Sequence, residues 1–392
     1  MQGGPCVGSE NLHPSAARLY STEGKKHAEL RERALGRYFD VPHLLATPPI
    51  TRAAYSDRTA WIMAELSRLV YEPLPEEVSV AHLVAEVRKA VESDDSGDTV
   101  EMLVRRAIES GQEVSSDIST ILEQNNFEFL EGYARSGTEA FLARLNQVDG
   151  SGQMLILVFR GTQPNIRDVS TDIKADLVTA PDGGRIHRGF LEAFDLVRDE
   201  IDEALERYDG PPVYIAGHSL GGALALIATR YLERESTGAC YTFGGPRVAD
   251  DRFFEGIKTP VYRVVNAADG VPRVPFGFGL KVVLGGLRLI PLNGTFQVSE
   301  WLRRHFVGYT HFGTLVFLSA TPAGSQSASP RSKGIQVRKS PNFFWRAQLV
   351  LSRLFITWGK AAAGDHSIRD YSEKLKQYAQ RRNKSVARQE QT

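Results

Sequence analysis

The densest chemistry in the sequence lies in residues 213–224, VYIAGHSLGGAL, where Ser219 has a glycine two positions to either side, Gly217 and Gly221. In a chain with 35 glycines a G-x-S-x-G pentapeptide is weak evidence by itself. Its flanks give it meaning. A short apolar run leads directly into the serine, and an Ala/Leu-rich stretch leads directly out. A sharp strand-to-helix turn holds such a serine in a strained conformation, and glycines are needed there to clear the backbone. The helix N-terminus then offers unpaired N–H groups and the positive end of its dipole to an oxygen that gains charge. The chemistry on offer is nucleophilic attack by a hydroxyl. The plain alternative is a glycine-rich turn with no chemistry.

The elements that must position this serine follow from periodicity. Residues 154–159 (MLILVF) form a short apolar run bounded by glycines, the pattern of a strand buried on both faces. Further strands are expected at 213–216, 239–243, 261–265 and 314–318, with helices at 190–205 and 220–232 between them. Strands alternating with helices of 10–15 residues argue for βαβ units and a mostly parallel sheet. Upstream, Trp61, Ile62, Leu66 and Val70 recur at helical spacing within 59–71, and two more helical stretches are expected near 76–93 and 99–110. The organisation expected is a polar N-terminal extension over 1–50, one α/β domain over 51–380 and a basic tail over 381–392. Within the domain, 276–310 and 320–360 read as apolar or flexible insertions.

Four further motifs stand in order around the serine: VFRGT (158–162), HRGF (187–190), YTFGGPRVAD (241–250) and VVNAADGVPRVP (264–275). Together with GHSLGGAL they resemble the class 3 lipases, the family of the filamentous-fungal lipases and the plant lipase-like acylhydrolases. The resemblance covers roughly residues 154–275 and implies an α/β-hydrolase fold with a Ser/Asp/His triad. A serine hydroxyl needs a base to take its proton, and the base needs a carboxylate to orient it. In this fold the chain order is serine, acid, histidine. Of nine histidines only His305, His311 and His366 follow Ser219. Asp269 stands four residues beyond the 261–265 strand, at the carboxyl end of the sheet, and holds the family's acid position. Asp250 and Asp251 are the alternatives, in a stretch that reads as the opening of a helix. His366, in DHSIRDY, resembles the family's terminal motif of a histidine followed closely by an aromatic residue. His311, in YTHFG, matches a family histidine that leads into the last strand, and it and His305 remain alternatives. His218 is adjacent to Ser219 and is read as structural support. About 45 residues separate the 314–318 strand from His366, more than the fungal members use.

Two backbone N–H groups normally receive the carbonyl oxygen as it gains charge in acyl transfer. The resemblance implies Leu220, the residue after the nucleophile, and Thr162, at the end of VFRGT. It also implies a lid over 163–186, with Gly183 and Gly184 as its hinge. Ile173 stands where a tryptophan is common, which leaves interfacial activation open.

Composition bounds the remaining possibilities. Hydrophobic residues are 42% and charged residues 24%, which excludes a mostly disordered or disulfide-scaffold chain. The net charge is zero, so no nucleic-acid partner is expected. Residues 331–392 nevertheless carry 14 Lys/Arg against 4 Asp/Glu, a basic segment suited to anionic membrane. Cys6 and Cys240 do not make a disulfide framework. The first 40 residues contain no apolar run of signal-peptide type, and no run of 18 apolar residues occurs. A cytoplasmic or peripheral membrane-associated location is expected. Residues 342–359 (NFFWRAQLVLSRLFITWG) read as an apolar, Trp- and Arg-bearing helix that either caps the site or docks on a lipid surface. The function expected is hydrolysis of lipid acyl esters, triacylglycerol first, with phospholipid or galactolipid as alternatives. The expected partners are a lipid ester substrate and a peripheral membrane or lipid-droplet surface. No cofactor or metal is expected, and the oligomeric state is left open. A non-catalytic lipid-binding protein on the same scaffold is the rival.

Overall fold

The computed structural model describes residues 38–45, 48, 54–72, 74, 117–146, 152–161, 177–232, 237–267, 269–273, 308–320, 334–342, 344–348, 350 and 365–389. The chain divides into two units, Met1–Asp40 and Val41–Thr392. All the strands and helices named below belong to the second unit. The helices expected near 76–93 and 99–110, and most of the insertions at 276–310 and 320–360, lie outside the described residues.

In chain order the elements are α1 (Asp57–Leu69), α2 (Asp117–Glu123), β1 (Phe127–Arg135), β2 (Thr138–Asn146), β3 (Gln153–Phe159), β4 (Leu177–Thr179), β5 (Arg185–His187), α3 (Arg188–Arg207), β6 (Val213–His218), α4 (Leu220–Tyr231), β7 (Thr237–Phe243), α5 (Asp251–Phe254), β8 (Val261–Asn266), β9 (Thr314–Ala320), β10 (Ile335–Lys339) and α6 (Ile368–Gln389). Eight strands form one sheet in the order β1-β2-β3-β6-β7-β8-β9-β10. The five from β3 to β9 run parallel, while β1 and β2 at one end and β10 at the other pair antiparallel. This is the α/β-hydrolase arrangement.

Helices cover both faces, as parallel strands require. Helices α3 and α4 pack on one face with Phe159, Phe194, Ile201, Ile215 and Ile227. On the other, α1 packs on β6 and on α6. Helix α1 starts where the Ser56 side chain accepts from the Thr59 N–H, the usual N-cap bond. It buries Trp61, Ile62, Leu66 and Leu69 completely, each contributing roughly 1.5–3 kcal/mol. Residues 381–389 continue α6 rather than forming a separate tail. Arg382 pairs with the buried carboxylate of Asp57, and Arg381 donates to the Ile335 carbonyl, which holds this stretch against α1 and β10.

Strands β1 and β2 were not legible as strands, and neither was β10. Gly183 and Gly184 form the turn of the β4–β5 hairpin, both at positive φ. A Cβ on Gly184 would stand 2.3 Å from the Phe253 nitrogen, so the pair serves a close backbone approach. Of the helix expected over 342–359, residues 344–348 and 350 are helical, with Phe344 exposed and Trp345 edge-on to Phe317. Residues 351–364 lie outside the described residues.

Two contacts hold the carboxyl end of the sheet in shape. At the β6–α4 turn, a Cβ on Gly217 would lie 2.2 Å from the Gly221 carbonyl oxygen, and one on Gly221 would lie 2.3 Å from the Phe159 oxygen. Strand β3, strand β6 and helix α4 therefore meet backbone to backbone. Further along, His311 donates from Nε2 to the Pro272 carbonyl at 2.6 Å, pinning the short turn after β8 to the segment before β9. Burial, then the nearby Arg263 and Arg247, holds the His311 pKa well below its ordinary value.

Gly217→Ala is expected to destabilise the protein by about 3 kcal/mol, because the added methyl meets backbone that cannot rotate away; denaturant unfolding of the two proteins measures it. A second expectation concerns acid. The unfolded chain takes up a proton at its ordinary pKa of 6.5 that folded His311 refuses. Stability should therefore fall as pH drops below that value, by up to about 1.4 kcal/mol per pH unit from this group. Thermal melts of wild type and His311→Gln across mildly acidic pH check this, the variant having the shallower dependence.

Candidate active site

Ser219 stands at the β6–α4 turn with φ 57° and ψ −126°, a region that L-residues rarely occupy and that costs about 1–3 kcal/mol. Its N–H donates to the Phe243 carbonyl at 2.9 Å, and its own carbonyl accepts from Gly222. The elbow is thereby tied to the end of β7. The side chain makes no capping bond to α4. Its oxygen lies instead 2.9 Å from Nε2 of His366.

His366 sits in the turn that precedes α6, and its Nδ1 is 3.0 Å from both carboxylate oxygens of Asp269. Asp269, three residues past the end of β8, is 1% exposed. A buried carboxylate is costly unless its oxygens are bonded, and here three donors converge. Besides His366, the Val271 N–H reaches Oδ1 at 2.9 Å and the Tyr371 hydroxyl reaches Oδ2 at 2.6 Å. Burial, followed by the Asp269 charge, pushes the Tyr371 pKa well above its ordinary value, so the phenol stays a donor. The structure thus brings Ser219, His366 and Asp269 into one hydrogen-bonded line.

The segments that bear Asp269 and His366 are stitched to each other by groups that no motif singles out. The Asn266 Nδ2 amide donates to the Asp365 carbonyl at 2.9 Å, while its Oδ1 accepts from Lys374 at 2.6 Å. The Asn266 N–H donates to the Tyr371 oxygen at 2.9 Å. Lys374 also stands 3.9 Å from the Asp365 carboxylate. Both Asn266 and Tyr371 occur within VVN and DHSIRDY, so a signal was present without a role attached. His218 is buried, and its pKa is lowered to about 3 by burial and then by His366.

The other candidates are engaged elsewhere. Asp250 is the N-cap of α5, accepting from the Phe253 N–H, and it pairs with Arg185; backbone and side-chain bonds from Arg185 and Phe253 outweigh its desolvation and lower its pKa. Asp251 is exposed on the first turn of α5. His311 is committed to Pro272. His305 lies outside the described residues, as does Thr162. Leu220 is the first residue of α4, where N–H groups lack intrahelical partners. Gly161, just before Thr162, runs against the elbow: a Cβ there would lie 2.4 Å from the His218 oxygen and 3.3 Å from the Gly221 nitrogen. Among the described residues no group of three His, Cys, Asp or Glu side chains has the arrangement of a metal site.

The line of serine, imidazole and carboxylate can activate a hydroxyl for attack on a carbonyl. Comparison with known proteins agrees with the motifs. Residues 156–278 match the family described as Lipase (class 3). A lipase of Rhizomucor miehei is 33% identical over 159 residues, covering 36% of this chain and 42% of that protein. The secreted mono- and diacylglycerol lipase 1 of Fusarium solani is 32% identical over 180 residues, 42% of this chain and 53% of that protein. Triacylglycerol lipase OBL1 of Arabidopsis thaliana is 26% identical over 297 residues, 55% of this chain and 57% of that protein. The chain spans about half the length of these relatives. Residues 156–278, the stretch similar to the class 3 lipases, carry both Ser219 and Asp269.

Proposed function

We propose that this chain is a serine carboxylic ester hydrolase acting on lipid acyl esters, with triacylglycerol the foremost substrate. The observation that carries the reading is the contact of Ser219 Oγ with His366 Nε2 at 2.9 Å, backed by Asp269 on the other side of the ring. In this mechanism His366 takes the serine proton as Oγ attacks the acyl carbonyl. The N–H groups of Leu220 and Thr162 receive the oxyanion. Collapse of the tetrahedral intermediate expels the alcohol, protonated by His366, and leaves an acyl-serine. Water, deprotonated by the same imidazole, then releases the fatty acid. Asp269 keeps Nδ1 protonated and Nε2 basic throughout. The lipid class is supported by the family match and by relatives named as mono- and diacylglycerol and triacylglycerol lipases.

The same proposal places the chain at a membrane or lipid-droplet surface. The exposed Phe344 and the net positive charge of residues 331–392 support it, since basic residues near anionic lipid contribute about 1 kcal/mol each. Among the described residues no helix is long and apolar enough to cross a membrane.

A fluorophosphonate should label wild type at Ser219, and Ser219→Ala should neither be labelled nor hydrolyse p-nitrophenyl esters or trioleoylglycerol. Unlabelled wild type, or full hydrolysis by Ser219→Ala, overturns the reading. Asp269→Asn should lower kcat by about 10⁴-fold, as in serine proteases that lose the carboxylate; stopped assays at saturating ester measure it. In liposome flotation, Phe344→Ser should reduce recovery with anionic vesicles at low salt, and equal recovery of variant and wild type removes the surface docking alone.

A further inference from the structure

The residue next to the nucleophile links the base to the rest of the site. Nε2 of His218 lies 2.7 Å from the backbone carbonyl of His366, and Nδ1 lies 3.0 Å from the Tyr71 hydroxyl. A carbonyl oxygen only accepts, so Nε2 carries the hydrogen. In a neutral ring Nδ1 is then the acceptor, and the Tyr71 O–H donates to it. The Tyr71 oxygen accepts in turn from the Gly161 N–H. The hydrogen bonds therefore run in one direction, from Gly161 through Tyr71 and His218 to His366. Chains of this kind reinforce one another in a dry interior. They tie together the end of β3, the residue two past α1, the elbow and the turn that carries the base.

We propose that His218, oriented by Tyr71, is a positioning residue for the base: its Nε2–H holds the backbone of His366 so that the His366 ring stays between Ser219 and Asp269. The inference rests on the ester-hydrolase reading and deepens it. The geometry makes the demand plain. The His366 ring is held at one end by Asp269 and at the other by Ser219, but its backbone belongs to a turn between two chain segments. The His218 bond fixes that backbone from the elbow itself, so nucleophile and base share one frame. A second consequence concerns charge. The two imidazole centroids are 4.7 Å apart, and His218 can keep both bonds only while neutral. The His366 ring can then become cationic in the transition state without a like charge beside it.

The groups facing this pair come from several elements. Asp269 contacts His366 directly, while Tyr371 donates to the Asp269 carboxylate and has its ring edge-on to His218. Arg160 lies over the Tyr71 ring at 5.7 Å. Asp365 and Lys374 neighbour one another beside the base. None of these replaces the donor to the His366 carbonyl.

The test uses the full chain and p-nitrophenyl butyrate, with rates divided by the site concentration titrated with a fluorophosphonate. His218→Phe keeps a ring and loses the donor; its kcat per titrated site should fall about 100-fold, the scale of a misplaced catalytic group, with KM little changed. The acid limb of its kcat/KM profile should move to lower pH, because the base leaves its carboxylate. His218→Gln restores an amide donor and should recover most of the loss together with the wild-type acid limb. Tyr71→Phe should lower kcat in the wild-type background and add nothing to His218→Phe. The proposal is overturned if His218→Phe keeps the wild-type kcat and acid limb, or if Gln and Phe variants fall equally, which would make the ring a packing element. Ser219→Ala in the same assays separates the two readings. Wild-type turnover by that variant removes the hydrolase reading and this proposal with it. A dead Ser219→Ala beside an unaffected His218→Phe removes this proposal alone.

Discussion

Ser219 occupies a backbone conformation that costs free energy, and the rest of the carboxyl end of the sheet is arranged around holding it there. At φ 57° and ψ −126° the residue turns the chain from β6 into α4 within a single position. The strain of about 1–3 kcal/mol persists only because surrounding bonds over-determine it. The serine N–H is bonded to β7, and the strand behind it is paired on both sides, with β3 and with β7. The glycines at 217 and 221 follow from the same requirement. Any side chain at either would separate β3, β6 and α4, and the turn would relax. A hydroxyl raised clear of its own helix is the result, without a capping bond and available to a histidine from elsewhere in the chain.

Placing a full negative charge beside that histidine sets the second requirement. Asp269 is buried, so its charge is maintained by donors rather than by water. The three that converge on it come from its own turn, from α6 and from the base. This explains why α6 is packed so firmly, with Tyr371 and Leu375 buried against the sheet side and Arg382 paired to Asp57 on α1. The helix supplies the phenol that satisfies one carboxylate oxygen, and the turn before it supplies the imidazole. Asp269 and His366 are thus delivered by elements with packing of their own.

What the sequence revealed and what it hid divide along the same physical line. The parallel strands were legible because burial on both faces makes them continuous apolar runs, as in MLILVF and VYIAG. The turn at Ser219 was legible because its strain is local and demands glycines at fixed offsets. Strands β1 and β2 were not. FEFLEGYAR has no β-branched residue, and its alternation slips where the register shifts between Phe129 and Glu131. TEAFLARLN is rich in Ala, Leu, Glu and Arg, residues that favour helix when read alone; pairing on both sides overrides that preference. Strand β10 is a five-residue edge with two basic residues, too short to announce itself. At the site, Asp269 and His366 could be selected by chain order and resemblance. Asn266, Tyr71, Tyr371 and the orientation of His218 could not, because their roles exist only in contacts between residues about a hundred or more positions apart.

The base lies beyond the stretch that matches the family, after a connection of about 45 residues from the last parallel strand. Connection length has little leverage on its placement. Closing a loop costs free energy only logarithmically in its length, about 0.6 kcal/mol for each doubling. The end of the loop, by contrast, is fixed by several short bonds of specific direction. Asn266 donates to the carbonyl of Asp365, His218 to the carbonyl of His366, and Tyr371 to Asp269. Each binds a group within a few residues of the base or the acid that orients it, and each arises from the sheet end or the helix after the base. Two consecutive carbonyls are therefore held from two different strands, β8 and β6. That arrangement resists both translation and rotation of the turn, which a single tether would not. The excursion between Ala320 and Asp365 can accordingly lengthen or change composition while the imidazole returns to the same place.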